Sequence, residues 1–280
     1  MRVLRRLTTR KGNRSMSKKT LATVTLLGLI ASLTPAILNA QAADPAAAGR
    51  GAGPGRGPGR GDGAPTGPAP KNADGKPDIS GAWAPNAIAA NVDMVRTGVK
   101  VPFQPWAEKI YNERKDNASK DDPEGYCLPP GVPRMSTTPY PFRIMQTPGL
   151  TLIVYEGGAH VWRQILTDGL PHDKDPNPSW LGDSIGHWDG DTFVIDTVGL
   201  NGKSWIDESG LPTTDKLHVI ERIRRVDAGH LEIEHTVDDP GAYTEPWKFT
   251  THPTLLKGEM IEYICQENNR DVQHLVGSGK

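Results

Sequence analysis

Cysteine is scarce in this chain: Cys127 and Cys265 are its two cysteines in 280 residues. Neither has a Cys or His neighbour at metal-ligand spacing, which argues against a zinc ribbon or finger. A bridge between the two is the expected use if the chain reaches an oxidising compartment. A Walker loop, Gly-x-Gly-x-x-Gly, Gly-x-Ser-x-Gly and His-Glu-x-x-His are all missing. Nucleotide cofactors, a serine-nucleophile elbow and a zincin centre therefore have no carrier, and no cofactor is expected. Alternation of strands with helices is also missing, which argues against a parallel sheet. After Leu38 no apolar run approaches the roughly 20 residues that span a bilayer as a helix.

The N-terminus is basic, with Arg2, Arg5, Arg6, Arg10, Lys11, Arg14, Lys18 and Lys19 and no acid. An apolar run from Thr20 to Leu38 and the small-x-small site Ala40-Gln41-Ala42 follow. This is the layout of an export signal over residues 1–42, with Met16 a second plausible start. Thr, Ser and Pro35 interrupt the apolar run, which disfavours the alternative of a retained anchor. Without those eight cations, 24 basic groups face 33 acidic ones, a net charge near −9. An acidic exported domain is a poor nucleic-acid binder. Residues 43–76 are Gly, Pro, Ala and Arg, too poor in apolar side chains to fold alone, and read as a disordered tether. One domain is expected over 77–275.

Within it, Lys76 to Trp83 reads as a turn and then a short strand carrying Trp83, and Pro105–Lys120 as one helix, with Trp106, Ile110 and Tyr111 at helical spacing. Asp121–Pro141 is irregular. Strand patterns then follow at Phe142–Thr147, Leu150–Glu156, His160–Thr167, a pair within Trp180–Thr197, Lys216–Val226, His230–Val237, Trp247–His252 and Glu259–Gln266. About nine strands with short turns predict a mainly β fold, an antiparallel up-and-down barrel of the calycin or lipocalin type. A β-sandwich is the alternative.

The residue pattern resembles that of a large uncharacterised family of exported bacterial β-rich proteins. It comprises Arg163-x-Ile165-x-x-Asp168-Gly169, His172 and Pro178-x-Trp180-x-Gly182-x-Ser184-Ile185-Gly186. It continues with Trp188-x-Gly190-Asp191-Thr192, Asp196-Thr197, Glu221-Arg222, Asp239-Pro240, Pro246-Trp247 and Cys265-x-Glu267-x-Asn269. The resemblance covers most of 127–270 and implies export and a domain outline; no activity is established for the family. Leu170 departs from it, standing where the resemblance implies a basic residue.

Strand alternation selects polar residues that share a face with apolar ones. His235 lies with Leu231, Ile233 and Val237, Glu221 with Leu217, Val219 and Ile223, and Arg163 between Val161 and Ile165. Asp196 lies between Val194 and Val198, Glu156 ends the Leu150, Leu152 and Val154 face, and Glu262 lies between Met260 and Ile264. Structural pairing accounts for any one of them, Arg163 with Glu221 or Asp196 above all. Six together imply a polar-floored cavity.

The resulting expectation is a small-molecule-binding barrel capable of cofactor-free proton chemistry, such as elimination, isomerisation or hydrolysis. His187 or His235 would be acid or base, Asp196 or Glu221 its orienting partner, and Arg163 an anion clamp. Glu156, Trp180 and Trp188 would complete the ligand site, with Trp162 and Trp205 also at the mouth. The histidines lack helical i, i+4 spacing, so no metal site is expected. The alternative is an envelope module whose seven tryptophans stack on polysaccharide or dock protein.

Overall fold

The computed structural model describes residues 63–158, 161–267 and 269. The expected signal segment 1–42 and the tether as far as residue 62 lie outside the described residues. The fold is mainly β. Ten strands run β1 Gly81–Ala84, β2 Phe142–Thr147, β3 Leu150–Tyr155, β4 Trp162–Leu166, β5 Asp183–Asp189, β6 Thr192–Val198, β7 His218–Arg225, β8 Leu231–Asp238, β9 Trp247–Thr251 and β10 Thr254–Leu255. They form one sheet in the order β10-β1-β2-β3-β4-β5-β6-β7-β8-β9. His252 and Pro253 carry the chain from β9, beside β8, directly into β10, beside β1, so the two edges are joined. A bridge between His230 and Thr254 ties β10 to the start of β8 as well. Joining the edges through this corner reduces the exposed strand edge that is the liability of an open β fold.

Two features depart from a simple meander. β4 and β5 run parallel, Ile165 opposite Ser184 and Leu166 opposite Ile185. The chain therefore returns along the barrel through the long 167–182 crossover, which composition marks as a loop without revealing its direction. Glu259–Gln266 forms no strand; after β10 the chain runs irregularly through 256–267. Short apolar alternation there did not suffice, because closure of the barrel already uses the last edge.

Among the described residues there are two α-helices where one is expected from the sequence, α1 Ile88–Val92 and α2 Pro105–Asp116. Pro105 opens α2, Glu108 sits in its first turn and Arg114 and Lys115 in its last, in accord with the helix dipole. Its buried stripe is Ala107 and Tyr111, while Trp106 is exposed. The stretch 130–138 is irregular, as its prolines require, yet wholly buried. Val132 packs with Leu200, Ile206 and Leu211, and Met135 with Ile153, Tyr155 and Ile165. This segment plugs the barrel interior, reaching both core clusters and, through Ser136, Glu221 between them.

The expected boundary at 76 moves toward the N-terminus. Gly67 O accepts from Ala228 N (3.0 Å), Pro70 O from Asp78 N (2.8 Å), and Lys76 Nζ donates to Gly190 O (2.8 Å). Residues 63–76 thus run against the barrel instead of hanging from it. Deleting residues 43–62 should leave stability unchanged. Deletion through residue 75 should cost about 1–2 kcal/mol, the net worth of a few hydrogen bonds, as urea denaturation of the two truncations would show.

Candidate functional site

Inward residues of β7 and β8 alternate apolar, polar, apolar: Val219, Glu221, Ile223 on one strand and Val237, His235, Ile233 on the other. Val219 and Val237 belong to one core cluster, Ile223 and Ile233 to another. Between the clusters lies a polar layer. Arg163 forms an ion pair with Glu221, each 2 % exposed. Its remaining donors reach Thr197 Oγ1 (2.5 Å) and Ser184 Oγ (3.1 Å). Burial works against the Arg163 charge, but the adjacent Glu221 carboxylate outweighs it and holds the guanidinium above its usual range. His235 is fully buried and stacks on Phe249 at 4.5 Å, with Nε2 3.3 Å from Thr251 Oγ1 and Nδ1 3.6 Å from Glu221 Oε1. Burial, aided by the Arg163 charge and opposed by Glu221, pushes His235 down to about 4, so it is neutral at pH 7. Three of the six selected groups thus meet as a buried network that joins two halves of the core.

The other three do not join them. Asp196 faces outward, because β6 is apolar on both faces and the larger Phe193 and Ile195 take the inside. Glu156 also faces out: Thr151, Ile153 and Tyr155 point inward on β3, and Glu156 is buried beneath the 259–262 segment, accepting from Ile261 N (2.9 Å). Glu262 is exposed on the irregular C-terminal stretch. The tryptophans do not share a mouth either. Trp162 is 59 % exposed, Trp205 is buried beneath Arg114, and Trp180 lies beside the plug, its carbonyl close to Gly131.

A cleft of about 800 Å³ opens at the barrel end where β4 stops. β4 ends at Leu166, opposite Ile185, while β5 continues through Gly186, His187 and Trp188. The β5–β6 hairpin therefore overhangs, facing the β2–β3 turn across a gap. Gly190 turns that hairpin at φ +58°, a conformation that a Cβ disfavours. Gly186 admits no side chain, since a Cβ would stand 2.7 Å from Ile165 and Phe193. The floor is Thr151 and Phe193, the rim His187, Trp188 and Gln146, and Asp74 and Asp78 line the wall supplied by the N-terminal segment. Trp188 is half-buried against Phe193, ring centroids 5.2 Å apart, and His187 is exposed. Two expected site residues, His187 and Trp188, thus meet here, apart from His235, Glu221 and Asp196.

A cluster of His172, Asp183, Asp196 and His218 escaped strand-by-strand reading. His172 Nδ1 lies 3.0 Å from Asp183 Oδ2 and its Nε2 3.1 Å from Asp196 Oδ1, which also contacts His218 Nε2 at 2.8 Å. The hydrogen bond from His218 and then that from His172 hold Asp196 below the usual carboxylate range, against its burial. The available signal was the diagonal pairing of Asp196 and His218 on adjacent strands. Among the described residues, no group of three or more His, Cys, Asp or Glu side chains is placed to hold a metal ion.

A smaller cavity, about 270 Å³, lies at the Cys127–Cys265 disulfide. Arg134, 1 % exposed, grips Asp122 with both terminal nitrogens (2.8 and 2.7 Å) and Glu124 with one (2.9 Å). Burial pushes Glu124 up and the Arg134 charge opposes it. The arrangement anchors the plug to the turn that carries Cys127.

No family model and no curated protein matches the chain. Among solved structures it is similar to a mutant of the fluorescent protein UnaG, at 10% identity, covering 65% of this chain and 97% of that one with a TM-score of 0.29. A likeness of that extent carries no argument about the site.

Proposed function

We propose that this protein is an exported member of the bacterial family that its residue pattern resembles, and that it binds a small organic molecule in the cleft at the β4 end of the barrel. The cleft itself carries the reading. It combines a volume typical of ligand sites with an aromatic floor and a few convergent polar groups. His187 is the proton-handling group at the rim, and Asp74 and Asp78 face the same space, a set suited to orienting a polar ligand and exchanging protons with it. Export draws support from the basic and apolar N-terminus and from the disulfide.

Thermal-shift screening of small organic acids, amines and aromatic compounds should return ligands that quench Trp188 fluorescence. His187→Ala should weaken them about tenfold, or 1.4 kcal/mol, without altering the melting temperature of the free protein. A screen without such a ligand would sink the reading. The second reading, polysaccharide or protein docking, is favoured by Trp162, 59 % exposed beside Val154 on the outer face of β3 and β4. It expects Trp162→Ala, and not His187→Ala, to abolish retention on cell-wall polymer.

A further inference from the structure

The cleft is lined by acids and by no strong base. Asp74 and Asp78 stand on the wall that the N-terminal segment supplies, and among the described residues no lysine or arginine lines the space. Two cations beside this wall are turned elsewhere. Lys76, between the two acids in the chain, gives its ammonium to Gly190 O of the β5–β6 hairpin (2.8 Å). Arg225 directs its guanidinium to the carbonyls of Asp78, Asp227 (3.2 Å) and Ala228. Burial holds that guanidinium below its usual range, although the charges of Asp78 and Asp227 oppose the shift. Among the described residues neither Asp74 nor Asp78 forms an ion pair.

We propose that the ligand of the cleft is a small organic cation, an ammonium carried on an apolar or aromatic body. The assignment rests on the reading of the cleft as the ligand site and adds its chemical class. An anionic ligand would meet two carboxylates with only His187 to offset them, and the loss of its hydration would go uncompensated. An ammonium meets the opposite charge. Its N–H groups only donate and a carboxylate only accepts, so the two are matched as hydrogen-bonding groups as well.

The acceptors are open to it. Asp78 Oδ1 takes the backbone N–H of Ser80 (2.9 Å) and its other oxygen takes none, while the exposed Asp74 carboxylate accepts no hydrogen bond from the described residues. The aromatic lining serves the same ligand. Trp188, half-buried at the rim, offers an indole face, which attracts cations, and Phe193, 1 % exposed at the floor, offers apolar surface to the body. Because solvent reaches both acids, their joint effect on affinity is about tenfold and falls with added salt.

Titration of the full chain with phenethylamine, phenethyl alcohol and phenylacetate near neutral pH tests this. The probes share one shape and differ in charge, and binding is read from Trp188 fluorescence as the difference from Trp188→Phe. The amine should bind about tenfold tighter than the alcohol, and the acid weakest. In Asp74→Asn/Asp78→Asn, whose amide at position 78 can still accept from Ser80 N, amine and alcohol should bind alike. Asp74→Asn alone touches no hydrogen bond of the described residues, which keeps the test open if the double variant is destabilised. It should reduce the preference to about threefold. Glu234→Gln, which removes one charge from the outer face of β8, should leave the preference whole. Equal or tighter binding of the alcohol or the acid, or a preference undiminished in both aspartate variants, would overturn the assignment and leave the cleft a ligand site. So would failure of all three probes while a ligand of another charge class quenches Trp188. If no compound quenches Trp188, the reading of the cleft fails and the assignment with it.

Discussion

Arg163→Met should destabilise the protein by about 3–5 kcal/mol, the cost of leaving one member of a buried ion pair without its partner. Arg163 and Glu221 are each 2 % exposed, and Thr197 and Ser184 take the remaining guanidinium donors. Methionine fills most of the volume but leaves the Glu221 carboxylate facing neutral His235 and the hydroxyls, without a countercharge. The double variant Arg163→Met/Glu221→Leu should recover most of the loss, since an apolar pair of similar volume suits a layer already bounded by Val219, Ile223, Ile233 and Val237. Arg163→Met/Asp196→Asn should recover nothing, because Asp196 lies on the opposite face of β6. Urea denaturation of the four proteins decides the matter. An Arg163→Met protein as stable as the parent, or rescue by Asp196→Asn, would contradict the pairing.

The reason this partner could be only half chosen from the sequence lies in strand alternation. On β7 and β8 one face is apolar and the other carries Arg222, Arg224, Glu232 and Glu234, so the inward set is unambiguous and Glu221 and His235 follow. On β6 and β3 both faces are apolar. Phe193 and Ile195 compete with Val194 and Val198, and Ile153 and Tyr155 with Leu152 and Val154. Alternation then gives the period without the phase, and Asp196 and Glu156 face outward where alternation alone points them inward. The crossover covers part of the outer wall, and outward apolar residues there are no error of the fold.

The rest of the site depends on relations between segments that no local pattern encodes. The cleft exists because β4 is shorter than β5 and the two run parallel, a matter of chain direction. His172 meets Asp196 only once the crossover has doubled back. The 130–138 plug illustrates the same limit, because proline and glycine announce irregular backbone but not its burial. Arg134 makes that burial tolerable, with Asp122 and Glu124 both bound to its guanidinium.

Loss of the disulfide should have the other large effect. Cys127 and Cys265 are 138 residues apart and their Cα atoms 5.6 Å apart, so the bridge encloses nearly the whole barrel. Chain entropy in the unfolded state alone places its contribution near 5 kcal/mol, less any cost in the native state. The bridge was expected to join the irregular N-terminal part to a last strand. It instead joins two irregular segments, the turn before the plug and the stretch after β10, neither with a ladder of its own. Cys127→Ser/Cys265→Ser should therefore lose up to about 5 kcal/mol in urea denaturation. Faster hydrogen exchange should appear first at 122–138 and 256–267, before β7 and β8 respond. Non-reducing mass spectrometry of protein folded in an oxidising compartment should recover the two cysteine peptides joined. Two free thiols in that material, or a double variant whose plug and C-terminal stretch exchange no faster than in the parent, would show that the barrel holds these segments without the bridge.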